Sequence, residues 1–357
     1  MRGEIDPQRG MFSYIDLEQR VPEDHPIRKV RRVVDKALTA LDDDFSALYS
    51  ELGRSSIAPE MLLRAQFLQI FYSIRSERQL VERLDYDLLF RWFVGLGIDD
   101  PVWNHSTFSK NRDRVLTADI AQRLFDEIKK QAYAKRLMSR DHFSVDGTLV
   151  EASASMKSFV PKDQPKSEDD TKGPGNRNQD VDFKGQKRKK DTHHSTTDPD
   201  ARLYRKSIGS SSKLCYMGHI LIENRNGMIV DATLTTAGTS KEWDAGLELL
   251  EKQSTRSGRT VAADKGYDTK RFVQGCRELG ITPHVAAKNS RGYVDGRTTN
   301  TAGYKISQII RKRVEEPFGW MKTVGSLRKT AYRGLQNNLT LMLMNSIAFN
   351  ITRMVTY

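Results

Sequence analysis

Phe143-Ser-Val-Asp146-Gly-Thr-Leu-Val-Glu151-Ala152 is the stretch on which the reading of this chain depends. Before it, apolar residues recur every three or four positions, as on one face of a helix. From His142 the period changes to the alternation of a strand. The stretch predicts a strand that turns at Gly147 and continues, leaving Asp146 at the end of its first run. Upstream, Ala58-Pro59-Glu60 opens a helix through Leu62, Leu63, Phe67, Leu68 and Phe71, with proline suited to a first turn. Ser76 and Gln79 form the pattern of a capping box. It starts a second helix through Leu80, Leu84, Leu88, Trp92 and Phe93, which Gly95 or Gly97 would stop. His105 to Leu116 reads as a short polar helix, and Thr117 caps another through Ile120, Leu124, Phe125 and Ile128. The expectation is an all-helical domain over residues 1–138 and a strand-bearing domain over 139–357.

Downstream, residues 157–206 are rich in Lys, Asp, Gly, Asn, Ser and Pro. Such a segment cannot bury a core, so it is expected to be a flexible polar insertion. Its block Lys187-Arg-Lys-Lys190 can contact phosphate or simply stay solvated. Lys213 to Glu223 then reads as a strand, Asn226-Gly227 as a hairpin turn and Met228 to Leu234 as the return strand. A helix follows over Lys241 to Leu250. A short apolar strand, Thr260 to Asp264, ends at Lys265-Gly266-Tyr267. After a helix through Phe272, Val273 and Leu279 comes the strand Thr282 to Ala286. This order predicts an α/β fold with a mixed five-stranded sheet flanked by helices.

Asp146 closes the first strand and Asp264 the fourth. If those strands are neighbours, the two carboxylates meet, and a packed helix can bring Glu315 to them. Glu315 lies four residues after Arg311 and seven before Lys322 in Arg311-Lys-Arg-Val-Glu315-Glu-Pro-Phe-Gly-Trp-Met-Lys322. At about 3.6 residues per turn these three share a helical face. A solvated charged face accounts for that spacing equally well; the two aspartates give it another meaning. Three carboxylates crowded together raise one another's pKa unless cations separate them. Two hard divalent ions about 3.5–4 Å apart accept such ligands and serve in-line displacement at phosphorus.

The charge balance, 58 Lys and Arg against 46 Asp and Glu, gives +12. That excess points to a polyanionic partner: DNA, RNA or an anionic membrane surface. No run of about 18 apolar residues predicts a spanning helix, and no strongly basic amphipathic helix stands out, so nucleic acid leads over membrane. The N-terminal residues carry no apolar signal core. Two cysteines, Cys215 and Cys276, cannot form a metal cage or a disulfide framework. The resulting expectation is a cytoplasmic protein.

Three motifs together resemble a bacterial insertion-sequence transposase of the DDE type, from the insertion-sequence-four and -five superfamily. They are Val145-Asp146-Gly-Thr-Leu-Val-Glu151, Ala263-Asp264-Lys-Gly-Tyr267, and Arg311-x-x-x-Glu315-x-x-Phe318-Gly-Trp-x-x-Lys322. The helical part from Pro59 to Leu116, with Asn104-His-Ser-Thr-Phe-Ser109, is similar to that family's leading domain. The resemblance covers nearly the whole chain outside 157–190. It implies an RNase H-like catalytic fold with Asp146, Asp264 and Glu315 as the metal-binding triad. Two Mg²⁺ or Mn²⁺ ions per site, and Arg311 and Lys322 as phosphate contacts, follow from the same resemblance. It further implies double-stranded DNA as partner, both terminal inverted repeats and target, a homodimer on DNA, and a nucleoid-associated bacterial protein. The sequence departs from the family at Gln308, where a tyrosine is usual. Glu316 competes with Glu315, and the register of Arg311, Phe318 and Lys322 favours Glu315.

Other residues are weighed more lightly. Lys110 and Arg112, on the polar helix, suit DNA-end contact in a major groove, though a plain helical scaffold explains the same pattern. Arg202, Arg205 and Lys206 sit in Ser195-Thr-Thr-Asp-Pro-Asp-Ala-Arg-Leu-Tyr-Arg-Lys206, which resembles a recurrent family segment, and are candidates for DNA contact. Glu151 and Asp268 read as peripheral acids, His193-His194 as solvated and His219 as a satisfied strand residue. Trp243 and Trp320 could stack on an extruded base, with ordinary packing preferred for Trp320. The leading expectation is metal-dependent DNA cleavage and strand transfer. Alternatives are an RNase H-fold nuclease without strand transfer and a DNA-binding protein that has lost catalysis. An RNA-binding role lacks any aromatic stacking motif.

Overall fold

A computed structural model describes residues 14–49, 56–161, 193–205, 211–253 and 258–357. The chain divides into two compact units, 1–115 and 116–357.

The first unit is helical: α1 Leu17–Arg20, α2 Pro26–Thr39, α3 Asp42–Ser46, α4 Pro59–Phe71, α5 Glu77–Tyr86, α6 Leu88–Val94 and α7 His105–Val115. Helix α4 begins with Pro59 and buries Leu62, Leu63, Phe67, Leu68 and Ile70. Ser76 caps α5 by accepting from the Gln79 amide at 3.2 Å. The sequence predicts one helix from there to Phe93; the structure has two. Asp87 separates them, because its carboxylate takes the amides of Leu89 (2.9 Å) and Phe90 (3.2 Å) and starts α6. Gly95, at φ +96°, ends it.

The second unit opens with α8, Ala118–Ala134, capped by Thr117 through the Ile120 amide at 3.3 Å. Its apolar face, Ile120, Leu124, Phe125, Ile128 and Ala132, is buried, and it packs on the last helix, α14 Leu335–Thr356. That contact places α8 in the compact unit that begins at residue 116.

The strands are β1 His142–Glu151, β2 Phe159–Pro161, β3 His193–Ser195, β4 Arg202–Tyr204, β5 Lys213–Glu223, β6 Ile229–Thr236, β7 Thr260–Ala263 and β8 Thr282–Val285. The main sheet runs β4-β5-β1-β7-β8, with β6 also on β5. β1 and β6 are each antiparallel to β5, while β7 runs parallel to β1 and β8 parallel to β7. This is the mixed sheet of an RNase H-like fold. It carries one strand more than the five expected, because β4 pairs with the first residues of β5. β1 does not turn at Gly147: its pairing with β5 is unbroken from Phe143↔Glu223 to Glu151↔Cys215.

Five helices follow the strands: α9 Thr239–Glu251, α10 Lys270–Glu278, α11 Gly296–Thr299, α12 Ala302–Ile310 and α13 Glu315–Thr323, before α14. On β5, a side chain at Gly218 would meet Met342 of α14, while the next residue, His219, lies beside Gly147 and Glu242 of α9. Successive strand residues face opposite ways, so α9 and α14 cover opposite faces of the sheet.

The segment read as a flexible insertion over 157–206 is structured at both ends. β2 pairs with β3, and His193 stacks on Phe159 at 5.4 Å, so the His193-His194 pair lies in a strand rather than a solvated tail. Residues 162–192, with the Lys187–Lys190 block, lie outside the described residues. Asp198 is buried and accepts from the Tyr216 hydroxyl at 2.6 Å and the Gly334 amide at 3.2 Å. Asp200 accepts from the Leu335 amide at 3.0 Å. These two acids tie the segment to β5 and to the start of α14, which gives the recurrent segment a structural role.

Candidate active site

The parallel register sets the first two carboxylates side by side. Ser144 of β1 lies opposite Ala262 of β7, so two residues further along Asp146 comes level with Asp264. Each is held by a backbone amide. Asp146 Oδ1 accepts from the Gly147 amide at 2.8 Å, and Asp264 Oδ1 from the Gly266 amide at 2.7 Å, which caps a short 3₁₀ turn over Lys265–Tyr267. The Trp243 indole donates to the Gly266 carbonyl at 3.0 Å and fixes the same turn. Trp320 lies edge-on to Phe349 at 5.8 Å.

Glu315 starts α13 and is exposed. Between α12 and α13, Arg311–Val314 is a 3₁₀ turn rather than α-helix. Pro317 explains the change: it has no amide hydrogen to give the carbonyl four residues back, and its ring crowds that carbonyl. The helix restarts with Pro317 in its first turn, where proline is tolerated. Arg311 and Glu315 nevertheless face the same cleft.

That cleft encloses about 540 Å³ and is lined by Asp146, Asp264, Glu315 and Arg311, among others. Arg311 Nε is buried there and has no hydrogen-bond partner among the described residues. Lys322 reaches β1 from α13, its Nζ donating to Thr148 Oγ1 at 2.5 Å. Glu316 faces elsewhere and forms an ion pair with Arg353 of α14. Gln308 donates through Nε2 to the His284 carbonyl at 2.7 Å. It joins α12 to β8, so in place of an aromatic ring the position supplies a backbone tether.

Several candidate residues are committed elsewhere. Arg112, expected at a DNA surface, is 5% exposed and paired with Glu77 and with Asp113 at 2.7 Å. A guanidinium so enclosed holds α5 to α7. Lys110 on the same helix is exposed. Arg202 donates to the carbonyls of Pro199 and Ala201, which keeps it on its own turn; Arg205 is exposed. Lys206 lies outside the described residues. Glu151 pairs with Lys213 at the far end of β1. Asp268 is fully buried, accepting from the amides of Lys288 (2.8 Å), Tyr293 (2.6 Å) and Val294 (3.1 Å), and so organises a loop.

Sequence reasoning missed Glu242, Tyr204, Lys265 and Lys312, all of which line the cleft. Nothing in the spacing of Glu242 links it to the three motifs. It also left unread the tyrosine of the Asp264 motif. Tyr267 is fully buried. Burial first, then the charges of Glu242, Asp146 and Asp264, hold its pKa well above the usual phenol value. His219 is only half satisfied: Nε2 shares a hydrogen bond with Thr235 Oγ1 at 2.9 Å, while buried Nδ1 has no partner among the described residues. Burial pushes its pKa down to about 4.

Oxygen donors of this kind fit hard divalent cations. Among the described residues, however, no group of three His, Cys, Asp or Glu is gathered closely enough to hold an ion as the side chains stand. The donor chemistry fits; the side chains would have to close around the ion.

Residues 138–351 match the family model described as "Transposase DDE domain", and residues 15–114 the one described as "Transposase domain (DUF772)". Similar solved structures include a piggyBac transposase synaptic complex with hairpin DNA, at 10% identity and TM-score 0.41, covering 93% of this chain and 74% of that one. A Mos1 transposase paired-end complex with left transposon end matches at 11% identity and TM-score 0.21, covering 78% and 81%. A Mos1 mariner paired end complex with Mn matches at 12% and 0.20, covering 89% and 92%.

Proposed function

The chain belongs to the transposase DDE domain family, and from that premise we propose that it cuts the ends of a mobile DNA element and joins the freed 3′-OH to target DNA. The observation that carries the reading is the single cleft shared by Asp146, Asp264, Glu315 and Arg311. Asp146, Asp264 and Glu315 are the residues that would hold two Mg²⁺ or Mn²⁺ ions. Such ions activate the attacking water or 3′-hydroxyl and stabilise the leaving oxygen of an in-line displacement. Asp264 is pre-set by the hydrogen bond it accepts from the Gly266 amide, so closure asks most of Glu315, which sits at a helix start. Arg311, whose buried Nε has no partner among the described residues, and Lys322 clamp the phosphate of the strand being cut.

Terminal inverted repeats and target DNA are the partners in this reading, with one protomer on each of two paired ends. The excess of +12 favours that polyanion. Among the described residues no helix is long and apolar enough to cross a membrane.

The test is cleavage and joining by the purified protein with Mg²⁺ or Mn²⁺ on its own element ends. Asp146→Asn and Asp264→Asn are expected to lose both steps and keep DNA binding. Cleavage retained at wild-type rate in either variant would sink the assignment. Supplying pre-cut ends isolates the joining step, and failure there alone would leave a nuclease.

A further inference from the structure

The carboxylate of Glu242 is the part of the cleft that the three motifs do not account for. Glu242 lies in the first turn of α9, the helix that follows β6. Its Oε1 comes to 2.8 Å from the point where a Cβ at Gly147 would stand. Gly147 directly follows Asp146, so the missing side chain opens the strand surface beside Asp146 to a carboxylate arriving from the helix. A second glycine brings the helix down. At Gly246, one turn beyond Glu242 on the same face, an added Cβ would stand 3.0 Å from Phe272, 3.3 Å from Tyr267 and 3.5 Å from Val145. A Cβ there would be in tight contact with the Phe272 and Tyr267 rings, so glycine lets α9 pack closely where Glu242 enters the cleft.

Two buried polar groups flank this acid. The fully buried Tyr267 hydroxyl interacts with Glu242, through its charge and a hydrogen bond, and also feels the charges of Asp146 and Asp264. The unpartnered Nδ1 of buried His219 lies 3.2 Å from the same Gly147 Cβ position. Glu242, Asp146 and Asp264 therefore line one cleft, though as the side chains stand they are not gathered closely enough to hold an ion, and the buried Nδ1 of His219 beside them has no partner among the described residues. Like charges so arranged repel unless a cation lies between them.

We propose that Glu242 is a fourth carboxylate of the metal site, sharing a divalent cation with Asp146 and Asp264. The inference rests on the reading of those two aspartates as metal ligands. Tyr267 and His219 act on Glu242 as positioning residues, holding its side chain over Gly147 and toward Asp146.

Manganese binding to the full chain tests this without recourse to activity. Free Mn²⁺ is counted by electron paramagnetic resonance during titration of the wild type, Asp264→Asn and Glu242→Gln, each checked for cooperative melting without metal. Glu242→Gln keeps the shape and hydrogen bonding of the side chain and removes its charge. The expected result is Mn²⁺ affinity about ten-fold weaker or worse in both variants. Wild-type affinity in Glu242→Gln beside a loss in Asp264→Asn overturns the role of Glu242 alone; the acid then only packs against Tyr267. Wild-type affinity in both overturns the metal site itself. Should Glu242→Gln fail to melt cooperatively, Glu242→Asp, with the carboxylate drawn back by one methylene, decides: weakened Mn²⁺ binding supports the role, unchanged binding removes it.

Discussion

Glu315 and Glu316 are adjacent in sequence and face different surroundings: one lines the cleft, the other pairs with Arg353. The motif register already separates them, since Arg311 and Lys322 fix one helical face. Arg112 shows the opposite case. Its composition and spacing suit DNA, yet burial against Glu77 removes it, and only packing reveals that. His219 carries a prediction at this scale. Its pKa lies at about 4 in the folded chain against 6.5 for an ordinary imidazole, because burial penalises the charged ring. As pH falls, the unfolded chain takes up the proton first, so stability is lost between roughly pH 6.5 and 4. A shift of that size amounts to about 3 kcal/mol. Denaturant melts of the wild type should weaken across that window, and His219→Gln should weaken by visibly less. Parallel curves for the two proteins would show that another group governs acid sensitivity.

Among elements, most helix and strand starts were legible because short-range chemistry fixes them. Ser76, Thr117 and the Asn226-Gly227 turn act where expected, with Gly227 at φ +70°. The misreadings came from side chains that compete with a continuing pattern. Asp87 splits one apolar run into α5 and α6, and Pro317 converts Arg311–Val314 into a 3₁₀ turn. Pro317→Ala restores an amide that can bond four residues back and lets α-helix run through Arg311. Stability should change by less than about 1 kcal/mol, since proline in a first turn costs little. Arg311 and Glu315 would rotate relative to each other, so DNA cleavage should fall about ten-fold or more with melting temperature nearly unchanged. Unimpaired cleavage would show that the 3₁₀ turn does not set their spacing.

By contacts the chain forms two compact units, 1–115 and 116–357, while the strand-bearing part expected from sequence begins at 139. Helix α8 looks in sequence like one more member of a helical series. Its apolar face is matched by α14, more than 200 residues later, and contact with α14 assigns it to the second unit. A chain starting at residue 116 should therefore fold alone and melt cooperatively by circular dichroism. One starting at 139 leaves the α14 surface bare and should lack a cooperative transition or aggregate. Equal melting of the two would mean that α8 contributes nothing to that core.

By itself the sequence determined the succession of helices and strands, the net charge of +12 and the three carboxylates with their flanking cations. Each of these follows from residue counts or from residue types at short, fixed spacings. Only the tertiary structure decided that Glu242 enters the cleft over Gly147, that Arg112 is spent inside its own unit, that β4 joins the sheet and that α8 belongs with α14. Those outcomes depend on which surfaces fit together across long stretches of chain, and local periodicity carries no record of that.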